Sequence, residues 1–326
     1  MWLLLIYTLL YAAVLMLVAL GGMFSERSGA INIALEGIMV VGGLMGVVAI
    51  NIMNDLGAPV FLGILVTMIA SALAGLVYSS LLAFSAINLK AAQTIGGTAL
   101  NLLATALATV IAKRINGSDS PKIVYSTNSN AVFNSAHFSF NLGPLTLNWF
   151  LLVTVAALAA AWFILYRSRF GMRLMSCGEH PQAADSVGIN VYKMRWAGVL
   201  MSGILGGIGG MAYIVPAVGE WNFEMGVAGM GFLALAVMIF GQWKPLNIAG
   251  AALFFAVFRA MANIFDSFGF LARLGWPKEI YNMMPFVASM IVLAFTSKSS
   301  RAPKAEGIPY DKGSRLVSAR WQLPSG

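Results

Sequence analysis

The sequence predicts an all-α protein, a polytopic membrane bundle of about nine transmembrane helices, with a range of roughly eight to ten. Two observations carry this prediction. Residues 1–22 contain no formally charged side chain, and apolar stretches of similar length recur along the 326 residues. The chain is 59% hydrophobic and only 10% charged, with a mean hydropathy of +0.82, whereas soluble domains contain about 25% charged residues. A bilayer is therefore the expected solvent.

Each span is placed by its apolar run and by the polar or proline-containing residues that interrupt it. We expect spans at 1–22, 31–50, 58–84, 93–112, 148–166, 195–217, 226–243, 246–265 and 281–297. The first run has no basic start and is too long for a signal peptide, so we expect it to be retained as a helix. Paired glycines within several spans favour close helix packing.

The loop charges predict the orientation. Basic residues concentrate in the loop 167–195 and in the tail 298–326, which we place in the cytoplasm together with the C-terminus. The Ser- and Asn-rich loop 113–147 then lies outside. Its alternating run at residues 137–140 could form a small hairpin or a lid on the outer face, and a solvated connector is the alternative. The transmembrane domain covers 1–297. We expect the basic tail to be mostly disordered because it is polar and contains three prolines.

Composition also excludes several classes of function. The net charge of +8 does not indicate a nucleic-acid partner, because the basic residues suit membrane topology and little soluble surface remains. The single Cys177 excludes an internal disulfide, and the distant His137 and His180 form no metal site. No convergent set of His, Asp or Glu suggests a membrane-embedded enzyme.

The first unusual segment joins the first two spans. Asn32 and Glu36 are four residues apart within an apolar stretch, so they share one helix face. Gly29 and Gly37 flank them and permit a broken or re-entrant helix. A carboxylate inside a membrane is costly and faces protein or water. Glu36 either anchors a bend or lines a pathway, or it only caps and pairs within the bundle, and the sequence leaves both open.

Further polar side chains within the spans are candidates for contact with a polar, uncharged solute. They are Asn32, Gln93, Thr94 and Asn101, although each could instead form a hydrogen bond between helices. Phe223, with Trp221, could stack on a flat ring. The alternative for these aromatic residues is an interfacial belt.

The segment 169–189 predicts a short helix on the cytoplasmic side. Pro181 suits a first helical turn and Gly188 suits the position just past the last, with residues 182–187 between them. Two turns alone in water are marginal, so the helix needs something to dock against. Ala183 and Ala184 could fit into a groove, and Glu179 and Asp185 offer charges to it. An ordinary connecting loop is the alternative.

Two motifs resemble a known family. The run Asn32-Ile33-Ala34-Leu35-Glu36-Gly37, and the run from Cys177 through Ala184 that ends at Gly188-Ile189, resemble permease subunits of ATP-binding-cassette (ABC) importers. The branch is the branched-chain amino acid, simple sugar and nucleoside permease family. The form around Glu36 is most similar to permeases of nucleoside importers. The run Cys177-Gly178-Glu179-His180-Pro181 departs from the family's more frequent Ala-Gly-Glu-Asn-Pro, and Ala34 stands where glycine is frequent.

This resemblance implies roles and partners. The short helix would be a coupling helix seated in a cleft of an ABC ATPase, through Gly178, Glu179, His180, Pro181, Ala183, Ala184, Asp185 and Gly188. The chain would form half of a nucleoside pathway, lined by Asn32, Glu36, Gln93, Thr94, Asn101 and Phe223. A second, homologous permease would complete the pathway, an outer solute-binding protein would deliver the solute, and the complex would lie in a bacterial cell membrane.

The chain itself would be a transport subunit and not an enzyme. No G-x-x-x-x-G-K-[ST] phosphate loop occurs in it, so ATP and Mg²⁺ would be bound by the separate ATPase, with no cofactor in this chain. The alternatives are a sugar or amino-acid permease of the same family and an ion-coupled secondary transporter. The latter would need membrane-centre carboxylates, for which only Glu36 is a candidate.

Overall fold

The structure, a computed structural model, describes residues 2–125, 135–142, 145–216, 220–265, 273, 277–296 and 302–312. Its helices are α1 Trp2–Arg27, α2 Leu35–Asp55, α3 Val60–Ala83, α4 Gln93–Asn116, α5 Trp149–Arg167, α6 Arg169–Glu179, α7 Pro181–Ser186, α8 Val191–Ile214, α9 Met230–Phe240, α10 Pro245–Asn263 and α11 Lys278–Thr296. Four short strands accompany them: β1 Lys122–Val124, β2 Ser139–Leu142, β3 Leu145–Asn148 and β4 Glu220–Asn222.

The prediction of an all-α membrane bundle is confirmed. Eight helical segments among the described residues are long and apolar enough to cross a bilayer, and α11 adds a further helix of 19 residues. β2 and β3 form an antiparallel hairpin, one of the alternatives left open for the loop 113–147. Residues 126–134 and 143–144 of that loop lie outside the described part of the chain, as do residues 297–301 and 313–326 of the tail.

Helices α2 and α8 form the centre of the bundle. Their apolar windows are 72% and 67% buried, against 22% for α3 and for α5. Glycines bring the two backbones together, since a Cβ on Gly42 would overlap the backbone of Gly207, and one on Gly210 would overlap the Met39 carbonyl. The expected packing role of the glycine pairs agrees with this geometry.

A non-helical segment, residues 28–34, separates α1 from α2. Gly29 adopts a positive φ of 97°, a conformation that glycine reaches without steric cost. The chain therefore turns here without a long loop. The second span was expected to begin at residue 31; α2 begins at Leu35, and residues 31–34 are non-helical.

A second non-helical segment precedes α9. β4 pairs antiparallel with β1, a 3-10 turn follows at Phe223–Met225, and Gly229 at a φ of 75° leads into α9. With 11 residues, α9 is about 16 Å long, which is about half the thickness of a bilayer core. Its first turn therefore lies deep inside the bundle.

The loops sort to two ends of the bundle. β1 and β4 lie at one end, which we call the hairpin end. Arg27, Trp243 and α7 lie at the other, which we call the tail end, because residues 302–312 (hereafter the tail segment) pack there. Here the structure differs from the expected disorder. The prolines and charges of the tail segment do not leave it solvated, because its backbone groups and Tyr310 find partners within the bundle.

Candidate functional site

Glu36 lies in the first turn of α2 and is 9% exposed. Its two carboxylate oxygens accept hydrogen bonds from the backbone N–H groups of Gly229, at 2.9 Å, and Gly231, at 2.7 Å. These donors belong to the start of α9, where no intrahelical acceptor is available and the helix dipole favours a negative charge. Glu36, which belongs to α2, thus caps the N-terminus of the short helix α9.

Two amide side chains of α4 hold the segment 28–34 and the start of α2. The Oδ1 atom of Asn101 accepts from the Gly37 N–H at 2.8 Å, and its Nδ2 donates to the Ile33 carbonyl at 2.9 Å. The Oε1 atom of Gln93 accepts from the Ile31 N–H at 2.7 Å. Both side chains satisfy backbone groups that the helix break leaves without helical partners.

Asn32 is fully buried within the non-helical segment, and its Nδ2 donates to the Ser202 hydroxyl of α8 at 2.7 Å. Two buried polar atoms of this region lack a hydrogen-bond partner, Asn32 Oδ1 and Gln93 Nε2. An unsatisfied buried polar atom costs about 1–3 kcal/mol. The segment therefore retains hydrogen-bonding capacity that its neighbours in this structure do not use.

The remaining pathway candidates are placed differently. Thr94 is exposed on α4, and Phe223 is fully buried in the core, with its N–H donating to the Pro121 carbonyl at 3.3 Å. Trp221 donates from its indole nitrogen to the Gly226 carbonyl at 3.0 Å and packs against Tyr213. The structure brings four of the candidates together around the segment 28–34, namely Asn32, Glu36, Gln93 and Asn101. The ring of Phe223 is covered by the core, so neither of its faces is exposed.

The second region of interest is α7, whose predicted existence and ends are confirmed. The helix begins at Pro181 in its first turn, and Gly188 follows its end at a φ of 84°. His180 precedes it in a non-helical conformation, with φ −143° and ψ 81°. The preceding Gly178 lies against the backbone of Arg27 and Gly29, where a Cβ would clash. The helix is therefore anchored closely to the end of α1.

Ala184, which the sequence offered together with Ala183 as a candidate to fit a partner's groove, is turned toward the bundle in this chain. Ala184 is only 3% exposed and packs in a small apolar cluster with Cys177, Val191 and Tyr310. Burial raises the pKa of the Cys177 thiol, so this side chain stays protonated and packs as a small apolar group. Ala184 packs α7 against the bundle.

The outward face of α7 carries other residues. His180 and Ala183 are exposed, and Glu179 and Asp185 are partly exposed. Val187, just past the helix, is also exposed: 75% of its surface is accessible. A two-turn helix could not distinguish Ala183 from Ala184 by periodicity, so the sequence did not reveal which of them faces outward.

The sequence did not reveal the structural role of Arg195, which was counted only among the basic residues of the loop 167–195. Its side chain is 1% exposed, and it donates to the Ile308 carbonyl at 2.8 Å and to the Ala305 carbonyl at 3.4 Å. These partners lie more than 100 residues further along the chain, so no local pattern could reveal them. Among the described residues, no group of His, Cys, Asp and Glu could hold a metal ion.

The comparisons with known proteins agree with these features. Residues 4–294 match the family model described as the branched-chain amino acid transport system / permease component. The guanosine ABC transporter permease protein NupQ of Bacillus subtilis is 38% identical over 318 residues, which cover 94% of this chain and 96% of the relative.

Two nucleoside ABC transporter permeases of Lactococcus lactis also match. NupC is 38% identical over 314 residues, covering 93% of this chain and 95% of the relative. NupB is 24% identical over 205 residues, covering 61% of this chain and 54% of the relative. No solved structure matches the chain. The chain belongs to the family of permease components of ABC importers, so it is a multi-pass membrane transport subunit and not itself an enzyme.

Proposed function

We propose that this chain forms half of the pathway of a nucleoside importer driven by a separate ABC ATPase. The observation that carries the proposal is its 38% identity, over more than nine-tenths of both chains, to a guanosine permease and a nucleoside permease. The polar groups gathered around the segment 28–34 support it, because a nucleoside presents hydroxyls and base edges that amides can bind.

The tail end is proposed to face the cytoplasm. The loop 167–195 and the tail carry the largest groups of Lys and Arg, as the positive-inside rule requires, and the structure brings them to one end of the bundle. The C-terminus would then be cytoplasmic, and the hairpin end would face outside, where a solute-binding protein could deliver the nucleoside.

The ATPase is proposed to dock on α7. The support is that α7 is a two-turn helix, too short to be stable alone in water. It is held at the tail end with the side chains of His180, Ala183 and Val187 exposed. ATP and Mg²⁺ would bind to that ATPase. Gly178, Pro181, Ala184 and Gly188 would contribute by holding α7 in shape and place.

A second, homologous permease is proposed to complete the pathway. Two different nucleoside permeases of Lactococcus lactis both match this chain, which supports a heterodimer. The face of α4 toward the partner would offer Thr94, while Asn32, Glu36, Gln93 and Asn101 would hold the broken segment whose movement opens the pathway.

The test is uptake by the complex of this chain with its sister permease, ATPase and solute-binding protein in proteoliposomes. We expect ATP-dependent uptake of labelled guanosine that excess adenosine or uridine reduces and excess glucose or leucine does not. If glucose or leucine is accumulated instead, the nucleoside assignment is wrong while the family assignment stands.

A further inference from the structure

The tail segment forms backbone hydrogen bonds with two elements at the tail end. The Ala305 N–H donates to the carbonyl of Gly178, at the end of α6, at 2.8 Å. The Gly307 N–H donates to the carbonyl of Gly29, within the segment 28–34, at 3.2 Å. The tail segment therefore joins the helix that precedes α7 to the break between α1 and α2.

Arg195 of α8 fixes this connection. Its guanidinium holds the carbonyls of Ala305 and Ile308 and lies directly against Gly29, where an added Cβ would be 2.8 Å from Nη2. A buried guanidinium with its donors directed at carbonyls is expensive to displace. The tail segment is therefore held by buried hydrogen bonds and does not merely lie on the surface.

Tyr310 connects the tail segment to α7 itself. It is 5% exposed and packs with Ala184 and Cys177, and its ring meets that of Tyr192 edge to face at 5.3 Å. Burial, and with it the nearby Asp185 carboxylate, raises the pKa of Tyr310 to about 12. The hydroxyl therefore stays protonated beside Asp185 of α7.

Two ion pairs lie at the C-terminal end of the tail segment. Lys90 and Asp311 are 3.3 Å apart, and Lys312 and Asp185 are 4.0 Å apart. Their side chains are mostly well exposed, so we expect each pair to add little stability. The buried contacts of Arg195 and Tyr310 carry the attachment.

These contacts place the tail segment between α7 and the segment 28–34, which leads into α2 and the Glu36 cap of α9. We propose that the tail segment is a positioning element that transmits displacement of α7 to the segment 28–34, and that it thereby sets how much solute moves per ATP hydrolysed. The inference rests on the proposed docking of the ATPase at α7.

Truncations and point variants in the full complex test this inference. A stop after Ala302 removes the tail segment from Pro303 onward, and a stop after Lys312 removes only residues 313–326 and serves as the matched control. Tyr310→Ala removes the contact with α7, and Tyr310→Phe keeps the ring packing but loses the hydroxyl beside Asp185. Each variant is measured for complex assembly, ATPase rate and solute uptake.

We expect the stop after Ala302 and Tyr310→Ala to assemble and hydrolyse ATP while the ratio of solute moved to ATP hydrolysed falls by about tenfold, within the usual range of coupling between sites. Tyr310→Phe should give a smaller loss, and the stop after Lys312 none. A role confined to stability would lower the amount of complex without changing this ratio.

Hydrogen exchange of the isolated permease gives a readout that requires neither ATPase nor solute. The amides of residues 28–34 and 182–187 should exchange faster after the stop at Ala302 and at an unchanged rate after the stop at Lys312. An unchanged transport ratio in the truncated complex, or unchanged exchange in both segments, would overturn the inference. Failure of the proposed function would instead appear as an inactive complex with the unmodified chain.

Discussion

Removing the Glu36 carboxylate should destabilise the bundle by an amount that the structure allows us to work out. Glu36 accepts two backbone hydrogen bonds, from Gly229 and Gly231, and hydrogen bonds to charged groups contribute about 1.5–3 kcal/mol each. Glu36→Ala removes both acceptors and leaves two N–H groups at the start of α9 unpaired. We therefore expect a loss of about 3 kcal/mol or more.

The assay is thermal unfolding of the purified permease in detergent. With about 2 °C of Tm per kcal/mol for large chains, Glu36→Ala should lower the Tm by about 6 °C. Glu36→Gln keeps one acceptor oxygen and should lower it by about half as much. Glu224→Ala, which removes an exposed carboxylate two residues from Gly226, is the matched control and should leave the Tm unchanged.

Equal Tm values for Glu36→Ala and Glu224→Ala would refute the capping role. Loss of uptake without any change in Tm would show that Glu36 lines the pathway and does not anchor α9. These results separate the two interpretations that the sequence left open.

Three further outcomes follow from the packing and charge of described residues. Ala184→Glu should lower the Tm of the isolated permease, because it forces a charge into the cluster with Tyr310, whereas the exposed Ala183→Glu should leave the Tm unchanged and abolish ATPase binding in a pull-down. Gly210→Ala should destabilise by about 1–3 kcal/mol through overlap with the Met39 carbonyl, while Gly250→Ala, with open space around it, should not. Burial raises the pKa of Glu306 above 4.5, and its carboxyl forms a hydrogen bond with that of Glu26, so the attachment of the tail segment is strongest at low pH and weakens as the pH rises through this raised pKa. Limited proteolysis of the tail against pH should show this weakening, and Glu306→Gln should remove it.

Local signals in the sequence were sufficient for the spans and the ends of α7. Apolar length predicted the helices, and Pro181 and Gly188 predicted α7, because each of these signals acts within a few residues. Gly29 likewise permitted the break, since its conformation is a local property. Asn32, Gln93 and Asn101 were recognised as unusual polar residues within spans. In the structure Gln93 and Asn101 bond to backbone groups between residues 31 and 37, and Asn32 bonds to Ser202 of α8.

Contacts between distant parts of the chain could not be predicted. Glu36 finds its partners 193 and 195 residues away, and Arg195 finds Ile308 at a separation of 113 residues. The tail segment has the composition of a disordered chain. Its order depends on backbone carbonyls that accept hydrogen bonds from the buried Arg195, and not on apolar periodicity, so its sequence does not reveal it. Of the two alanines of α7, Ala184 faces inward because it packs against Tyr310 of the tail segment.

The most direct test of the central claim is solute uptake into proteoliposomes that contain this chain alone or together with its sister permease, ATPase and solute-binding protein. We expect nucleoside uptake only in the complete complex with ATP, and we expect Ala183→Glu to abolish it by blocking the outward face of α7. Uptake by the chain alone, without nucleotide or partners, would contradict the claim.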